Sequence, residues 1–198
     1  MSGAGEAGRR RRVLALVRGE PWMMAVLAAV RDLALPDAWV GAGFVRARVW
    51  DALHGRDGPP ALDDVDVVYF DPSDPEGAGE RALERRLAAL LPGVPWSVKN
   101  QARMHLKHGD PPYRDCAEAL SRWLETPTCV AVRLRPDGRL ALLAPHGLAD
   151  LMGLLVRPTP AGRERPGEYL ARLEAKDWAG RWPRLRLLRP DDPAVTPG

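Results

Sequence analysis

Cysteine is nearly absent: Cys116 and Cys129 are the only two in 198 residues. Neither has a histidine or a second cysteine at zinc spacing, which argues against a disulfide framework or a structural zinc and leaves each thiol as a stray buried one. Histidine is also scarce, with four in the chain. His105, His108 and His146 could be imagined as a metal cluster, but their scatter reads as chance. No apolar run reaches the ~20 residues of a membrane span. The stretch Val13-Leu-Ala-Leu-Val17 follows a basic start and is soon interrupted by Arg18 and Glu20. It is too short and too quickly charged for a signal peptide, so a cytoplasmic location with no membrane partner is expected. No internal repeat is visible.

What remains is an ordinary globular composition, 45% hydrophobic and 28% charged, long enough for one sizeable core. Part of the net charge of +3 lies in Arg9-Arg10-Arg11-Arg12. That run reads either as a phosphate or nucleic-acid contact or as a solvated, frayed terminus. The expected organisation is a flexible basic N-terminus over 1–19, one domain over 20–189, and a disordered proline-bearing tail over 190–198. The seven tryptophans are enough for base stacking, yet their spread suits core and groove wall better.

Trp22, Met23, Val26, Leu27, Val30 and Leu33 recur at helical spacing between Pro21 and Pro36, predicting an amphipathic helix. Ala38-Trp39-Val40 reads as a short strand entering a glycine turn, and Phe44 to Leu53 as the helix after it. Val65 to Phe70 is almost wholly apolar, as in a strand buried on both faces. Further helices are expected near 76–91, 115–124, 147–155 and 167–179, with strands at 95–99, 129–134 and 140–143. Pro136-Asp137-Gly138 marks the turn between the last two strands. Interleaved strands and helices around a hairpin predict an α+β fold, a mixed β-sheet flanked by helices.

Two segments carry chemistry. Gly41-Ala42-Gly43 sits at a strand-to-helix corner, where free backbone N–H groups and absent side chains let a phosphate approach. A dinucleotide-binding turn would want a third small residue, but Arg46 stands there. Arg46 could instead reach phosphate oxygens with its planar fork, or pair with a nearby aspartate. The second segment is Asp63-Asp64-Val65-Asp66. Asp64 and Asp66, two residues apart on a strand, share a face. Asp66 stands inside an apolar run where an unpaired charge is costly, so a metal ion or an arginine is expected beside it. Mg²⁺ suits two carboxylates completed by phosphate oxygens and water. Lys99, Asn100, Gln101 and Arg103 follow a strand and offer donors and acceptors for a base, ribose or acceptor. His146-Gly147 and Asp150 sit at a helix start, where Asp can cap.

Val40-Gly-Ala-Gly-Phe-Val-Arg-Ala-Arg-Val-Trp50 followed by Asp64-Val-Asp-Val-Val-Tyr-Phe-Asp71 resembles the nucleotidyltransferase superfamily of polymerase beta. The helix segment is similar to the Gly-Gly-x-Val-Arg-Asp of tRNA CCA-adding enzymes and bacterial poly(A) polymerases. It departs at Ala42, where those enzymes have glycine, and at Ala47, where they have aspartate. Trp96-Ser-Val-Lys-Asn-Gln-Ala-Arg-Met-His105, Ala144-Pro-His-Gly-Leu-Ala-Asp-Leu151, Arg157-Pro-Thr-Pro160, Lys176-Asp-Trp and Trp182-Pro resemble segments of a bacterial family of small nucleotidyltransferase-like proteins of unknown function.

The resemblance implies transfer of a nucleoside monophosphate from a nucleoside triphosphate to a hydroxyl of an unknown acceptor (a small molecule, RNA or protein). By resemblance, Asp64 and Asp66 hold Mg²⁺ or Mn²⁺ and are catalytic. Gly41, Gly43, Arg46, Lys99, Asn100, Gln101 and Arg103 are the expected substrate contacts. A third acid normally completes such a site, and Glu125, Asp71 and Asp137 are none of them well placed by sequence. The alternative is a non-catalytic nucleotide- or RNA-binding protein on the same scaffold. A third reading is a partner-binding protein in which Arg46 neutralises the aspartates and no pocket exists.

Overall fold

The chain was analysed as a computed structural model that describes residues 3–193. Its centre is a five-stranded mixed sheet, ordered β3-β2-β1-β4-β5. The strands are β1 (Trp39–Gly41), β2 (Val65–Tyr69), β3 (Trp96–Asn100), β4 (Ala131–Leu134) and β5 (Leu140–Leu143). β2 and β3 run parallel, joined through helix α4 (Glu80–Leu90), and the other pairs are antiparallel. The predicted hairpin joins β4 to β5, with Arg135 N–H bonded to the Arg139 carbonyl at 2.8 Å and Gly138 at φ 77°.

Strand alternation gives the sheet two different faces. One face buries Val40, Val65, Val67 and Val98 under α2 (Pro21–Asp32), α3 (Gly43–Leu53) and α4. Val26, Leu27, Val30, Phe44, Val49 and Leu87 complete this main core. The other face holds a small cluster of Trp39, Val68 and Ala131 beneath Cys116 and Leu120 of α6 (Cys116–Ser121). Beyond that patch the second face is open, and the cleft lies there.

The segment over residues 1–19, expected to be flexible and basic, is different. Helix α1 spans Gly3–Arg18. Val13 and Val17, four residues apart on one face, are fully buried in the main core. Arg10 donates to the Leu142 carbonyl at 2.6 Å, and Glu6 accepts from Leu148 N–H at 3.1 Å. The apolar stripe of this helix outweighs its arginines, so α1 belongs to the domain. The expected helix over 147–155 shrinks to Ala149–Met152, because Leu155–Val156 leaves it to pair in parallel with Arg186–Leu187. Of the expected disordered tail, 194–198 lies outside the described residues.

The C-terminal third wraps the end of α3. Helix Pro166–Lys176 is followed by the short helix Trp178–Arg181; these are α9 and α10, after α5 (His105–His108), α7 (Ala149–Met152) and α8 (Pro160–Glu164). Trp178 and Trp182 both pack edge-on to Trp50 of α3, with ring centroids 5.8 and 5.1 Å away. Trp182 also donates to the Asp51 carboxylate at 2.8 Å. Tyr169 is fully buried and its hydroxyl donates to the Leu188 carbonyl at 2.7 Å, fastening α9 to the domain. These contacts bring α9 over the open face of the sheet.

Candidate functional site

A cleft of about 730 Å³ lies between that face and α9. The sheet wall begins where β1 meets α3. Gly41 belongs to packing rather than to the cleft lining: a Cβ there would stand 3.2 Å from the Val130 carbonyl and 3.4 Å from the Trp123 ring. The expectation that Gly41 contacts substrate is therefore corrected. Ala42 turns the corner at φ 50°, ψ −122°, a conformation natural to glycine and strained for alanine. Gly43 lines the cleft and opens α3. A Cβ on Gly43 would meet only ordinary contacts, Leu62 at 3.6 Å and Arg46 at 3.8 Å, so packing does not demand glycine. Its value is the open approach to the first-turn N–H groups, which have no partners inside the helix.

Asp64 and Asp66 both line the cleft. Among the described residues neither makes a hydrogen bond or an ion pair, although Asp66 is largely buried. Burial, then the neighbouring Asp64 charge, pushes the Asp66 carboxyl up from 3.8 to about 6, against the pull of Arg46, Arg172 and Lys176. Asp63 also lines the cleft but is almost fully exposed, with Lys176 at 3.7 Å. The reading in which an internal arginine clamps the aspartates is not what the chain adopts.

Arg46 rises from α3 into the cleft, almost completely buried. One guanidinium nitrogen donates to Thr128 Oγ1 at 2.8 Å, and the group lies over Trp178 at 4.5 Å and Trp50 at 5.3 Å. Burial lowers its pKa from 12.5 to about 10 while Glu125 opposes the shift, so it stays charged at neutral pH. Its Nε has no hydrogen-bond partner.

The Lys99–Arg103 segment divides by strand periodicity. Lys99, paired across from Val68, lines the cleft with Gln101, while also approaching Glu80 at 3.4 Å and Glu84 at 3.6 Å. Asn100 points the other way and is fully buried. Its amide donates to the Asp71 and Asp74 carbonyls at 2.7 and 2.8 Å and accepts from Asp71 and Ala102 N–H. Arg103 makes two bonds to Glu80, at 3.0 and 2.8 Å. Asn100 and Arg103 are thus internal braces of the 71–80 loop, which corrects their expected place among the substrate contacts.

The helical wall was missed. Arg165, Glu168, Ala171, Arg172, Ala175 and Lys176 all line the cleft, and their three- and four-residue spacing is one face of α9. That spacing is visible in the sequence, but a basic helical stripe reads equally well as a solvated face. Glu125, weighed as a third acid and set aside by sequence, also lines the cleft. It lies fully buried before β4, with Arg172 Nε 2.6 Å from its carboxylate, an ion pair without an aligned hydrogen bond. Trp123 and Thr128 flank it on the cleft lining.

No group of three or more His, Cys, Asp or Glu side chains forms a metal cluster among the described residues. Asp64 and Asp66 still suit a hard divalent ion that takes its other ligands from phosphate oxygens and water: they are unpaired, adjacent in charge and turned into the cleft.

A family model described as nucleotidyltransferase matches residues 28–187. An NMR structure described as revealing a CCA-adding enzyme head domain is 35% identical, with a TM-score of 0.80 over 90% of this chain and 95% of that one. A CCA-adding enzyme solved with CTP is 18% identical, with a TM-score of 0.58, covering 89% of this chain and 43% of that protein. The Thermotoga maritima CCA-adding enzyme complexed with tRNA is also 18% identical, with a TM-score of 0.52 over 84% of this chain and 38% of its own length. These two likenesses show the fold alone, and the chain spans less than half of either enzyme. No curated protein matches.

Proposed function

From the premise that this chain belongs to the nucleotidyltransferase family, we propose that it transfers a nucleoside monophosphate from a nucleoside triphosphate to an acceptor hydroxyl. The observation that carries the reading is the unpaired Asp64 and Asp66 beside the open α3 N-terminus. An unpaired, largely buried carboxylate is costly, and its partner is best sought in a ligand.

The first-turn N–H groups of α3 at Gly43 receive triphosphate oxygens. Arg46, Arg172 and Lys176 place three cations around them, and the α9 wall keeps the guanidiniums partly out of water, where their attraction is less screened. Lys99 and Gln101 line the floor beside Asp66 and are the candidates for ribose or acceptor contact. Asp64 and Asp66 would hold Mg²⁺ or Mn²⁺, which when bound neutralises charge on the attacking and leaving oxygens. The acceptor oxygen attacks the α-phosphorus, the bond to the bridging oxygen breaks, pyrophosphate leaves, and the hydroxyl proton passes to solvent.

Labelled nucleoside triphosphates incubated with metabolites, RNA and protein acceptors, with Mg²⁺ or Mn²⁺, test this. Pyrophosphate release that disappears in Asp66→Ala is the expected outcome; turnover unchanged in that variant removes the carboxylate pair from the mechanism. The second reading, nucleotide or RNA binding without catalysis, is favoured by one observation: no third carboxylate joins Asp64 and Asp66 among the described residues. It requires nucleotide binding with no pyrophosphate release from any acceptor.

A further inference from the structure

Glu125 is a fully buried carboxylate to which the reaction above gives no task. It sits in a tightly knit segment. Its carbonyl accepts from Thr128 N–H at 3.0 Å, and its residue bridges Pro158 in an isolated antiparallel pair. Its carboxylate meets Arg172, which comes from α9, at 2.6 Å. It is also the strongest attraction acting on Arg46, which comes from α3. The two guanidiniums share one further surface, the Trp178 ring, at 6.0 and 4.5 Å. A single buried charge therefore acts on cations from the two walls of the cleft, in contact with Arg172 and at longer range on Arg46. No other carboxylate lies within 4 Å of either guanidinium among the described residues.

We propose that Glu125 is a positioning residue that holds Arg46 and Arg172 as a two-guanidinium clamp for the triphosphate. Its carboxylate faces arginine and is not grouped with Asp64 and Asp66 among the described residues. A guanidinium drawn to the carboxylate by its Nε edge leaves its terminal nitrogens available for paired phosphate oxygens. This inference rests on the nucleotide reading of the cleft. It assigns the clamp to the bound triphosphate rather than to one step of the reaction, so binding should suffer more than the chemical rate.

Glu125→Gln keeps the shape and removes the charge. Its KM for the triphosphate should rise about tenfold, equivalent to ~1.4 kcal/mol, with kcat nearly unchanged. The Mg²⁺ concentration for half-maximal rate should stay at the wild-type value. An unchanged KM, or a Mg²⁺ requirement raised as in an Asp64 variant, overturns the proposal. The neutral pair Glu125→Gln with Arg172→Gln avoids leaving a lone buried charge and should show a KM rise larger than Arg172→Gln alone, since Arg46 loses its counter-charge as well; a rise no larger than that of Arg172→Gln counts against the clamp. Independently of any nucleotide, the Arg172 Nε NMR resonance should shift clearly between wild type and Glu125→Gln, because the facing carboxylate charge 2.6 Å away is removed. Wild-type protein that ignores every triphosphate sinks the transfer reading. The NMR shift then decides the ion pair separately: an Arg172 resonance that does not move in Glu125→Gln overturns that too.

Discussion

The two walls of the cleft are built on opposite plans. The sheet wall presents two carboxylates, Asp64 and Asp66, that make no hydrogen bond or ion pair among the described residues. The helical wall presents cations that are already held: Arg172 by Glu125 at 2.6 Å, Lys176 near Asp63 at 3.7 Å, with Trp178 beneath Arg46. A side chain fixed by internal partners can be placed accurately at little further entropic cost on binding. A carboxylate left without partners in a partly buried site lowers stability until a cation arrives. On the proposed reading, the sheet wall holds the instability and the helical wall the order, and a triphosphate with its metal would join them.

The test with the largest expected effect attacks the sheet wall. Asp66→Asn should lower metal-dependent turnover by about a thousandfold, ~4 kcal/mol of barrier, while making the metal-free protein more stable at pH 7. The sign follows from the raised pKa. Between roughly pH 4 and 6 the folded wild type keeps a proton on Asp66, whose pKa is about 6, that the unfolded chain, near 3.8, has lost. Wild-type stability therefore falls as pH rises through that window, by about 3 kcal/mol. Urea unfolding without divalent ions should show the Asn variant ahead at pH 7 and level with wild type near pH 4. Added Mg²⁺ should stabilise the wild type and not the variant. An Asn variant less stable at pH 7 would break the contrast between the walls, since Asp66 would then be satisfied internally.

A smaller effect separates true lining from its supports. Asn100→Ala removes four hydrogen bonds to the 71–74 loop and Ala102 and should cost about 3 kcal/mol, given ~1 kcal/mol or less for each bond. Unfolding experiments should register that loss. The KM for the triphosphate, measured on folded protein at low temperature, should move by less than about threefold, ~0.7 kcal/mol. A large KM change in a stable variant would return Asn100 to the substrate contacts and blur the boundary of the sheet wall.

Legibility in the sequence followed the same division. The apolar run from Val65 to Tyr69, the turn at Gly138 and the apolar spacing of α2 are local signals, and the mixed sheet with flanking helices follows from them. The positions of Gly43, Arg46, Asp64 and Asp66 on one cleft were equally local, because a strand–turn–helix and an i, i+2 pair fix them. Lys99 and Gln101 could have been told from Asn100 by strand alternation alone, whereas Arg103, of the same parity, leaves their face because the strand ends at Asn100 and a tight turn covers Gln101–Arg103. The helical wall was hidden for a different reason. Whether the stripe Glu168, Arg172, Lys176 meets solvent or a cleft depends on Tyr169, Trp178 and Trp182 docking on distant parts of the chain. Glu125 depended on that docking too, through Arg172. Four arginines in α1 masked the Val13 and Val17 stripe that buries it.

The smallest expected effect concerns Ala42, the hinge of the sheet wall. At φ 50°, ψ −122° its methyl group is held where only glycine is comfortable. The strain is maintained by two bonds: Ala42 N–H to the Val130 carbonyl, and Arg46 N–H to the Ala42 carbonyl, both at 3.0 Å. Such a residue costs on the order of 1–3 kcal/mol. Glycine would remove that cost but enlarge the freedom of the unfolded chain by about 0.4–1 kcal/mol and give up one buried methyl. The balance should leave Ala42→Gly about 1 kcal/mol more stable in urea unfolding. The corner geometry is unchanged, so the KM for the triphosphate should hold. If Ala42→Gly instead loosens the corner and raises KM with no gain in stability, the methyl is bracing the α3 N-terminus, and the sheet wall is as dependent on internal anchoring as the helical one.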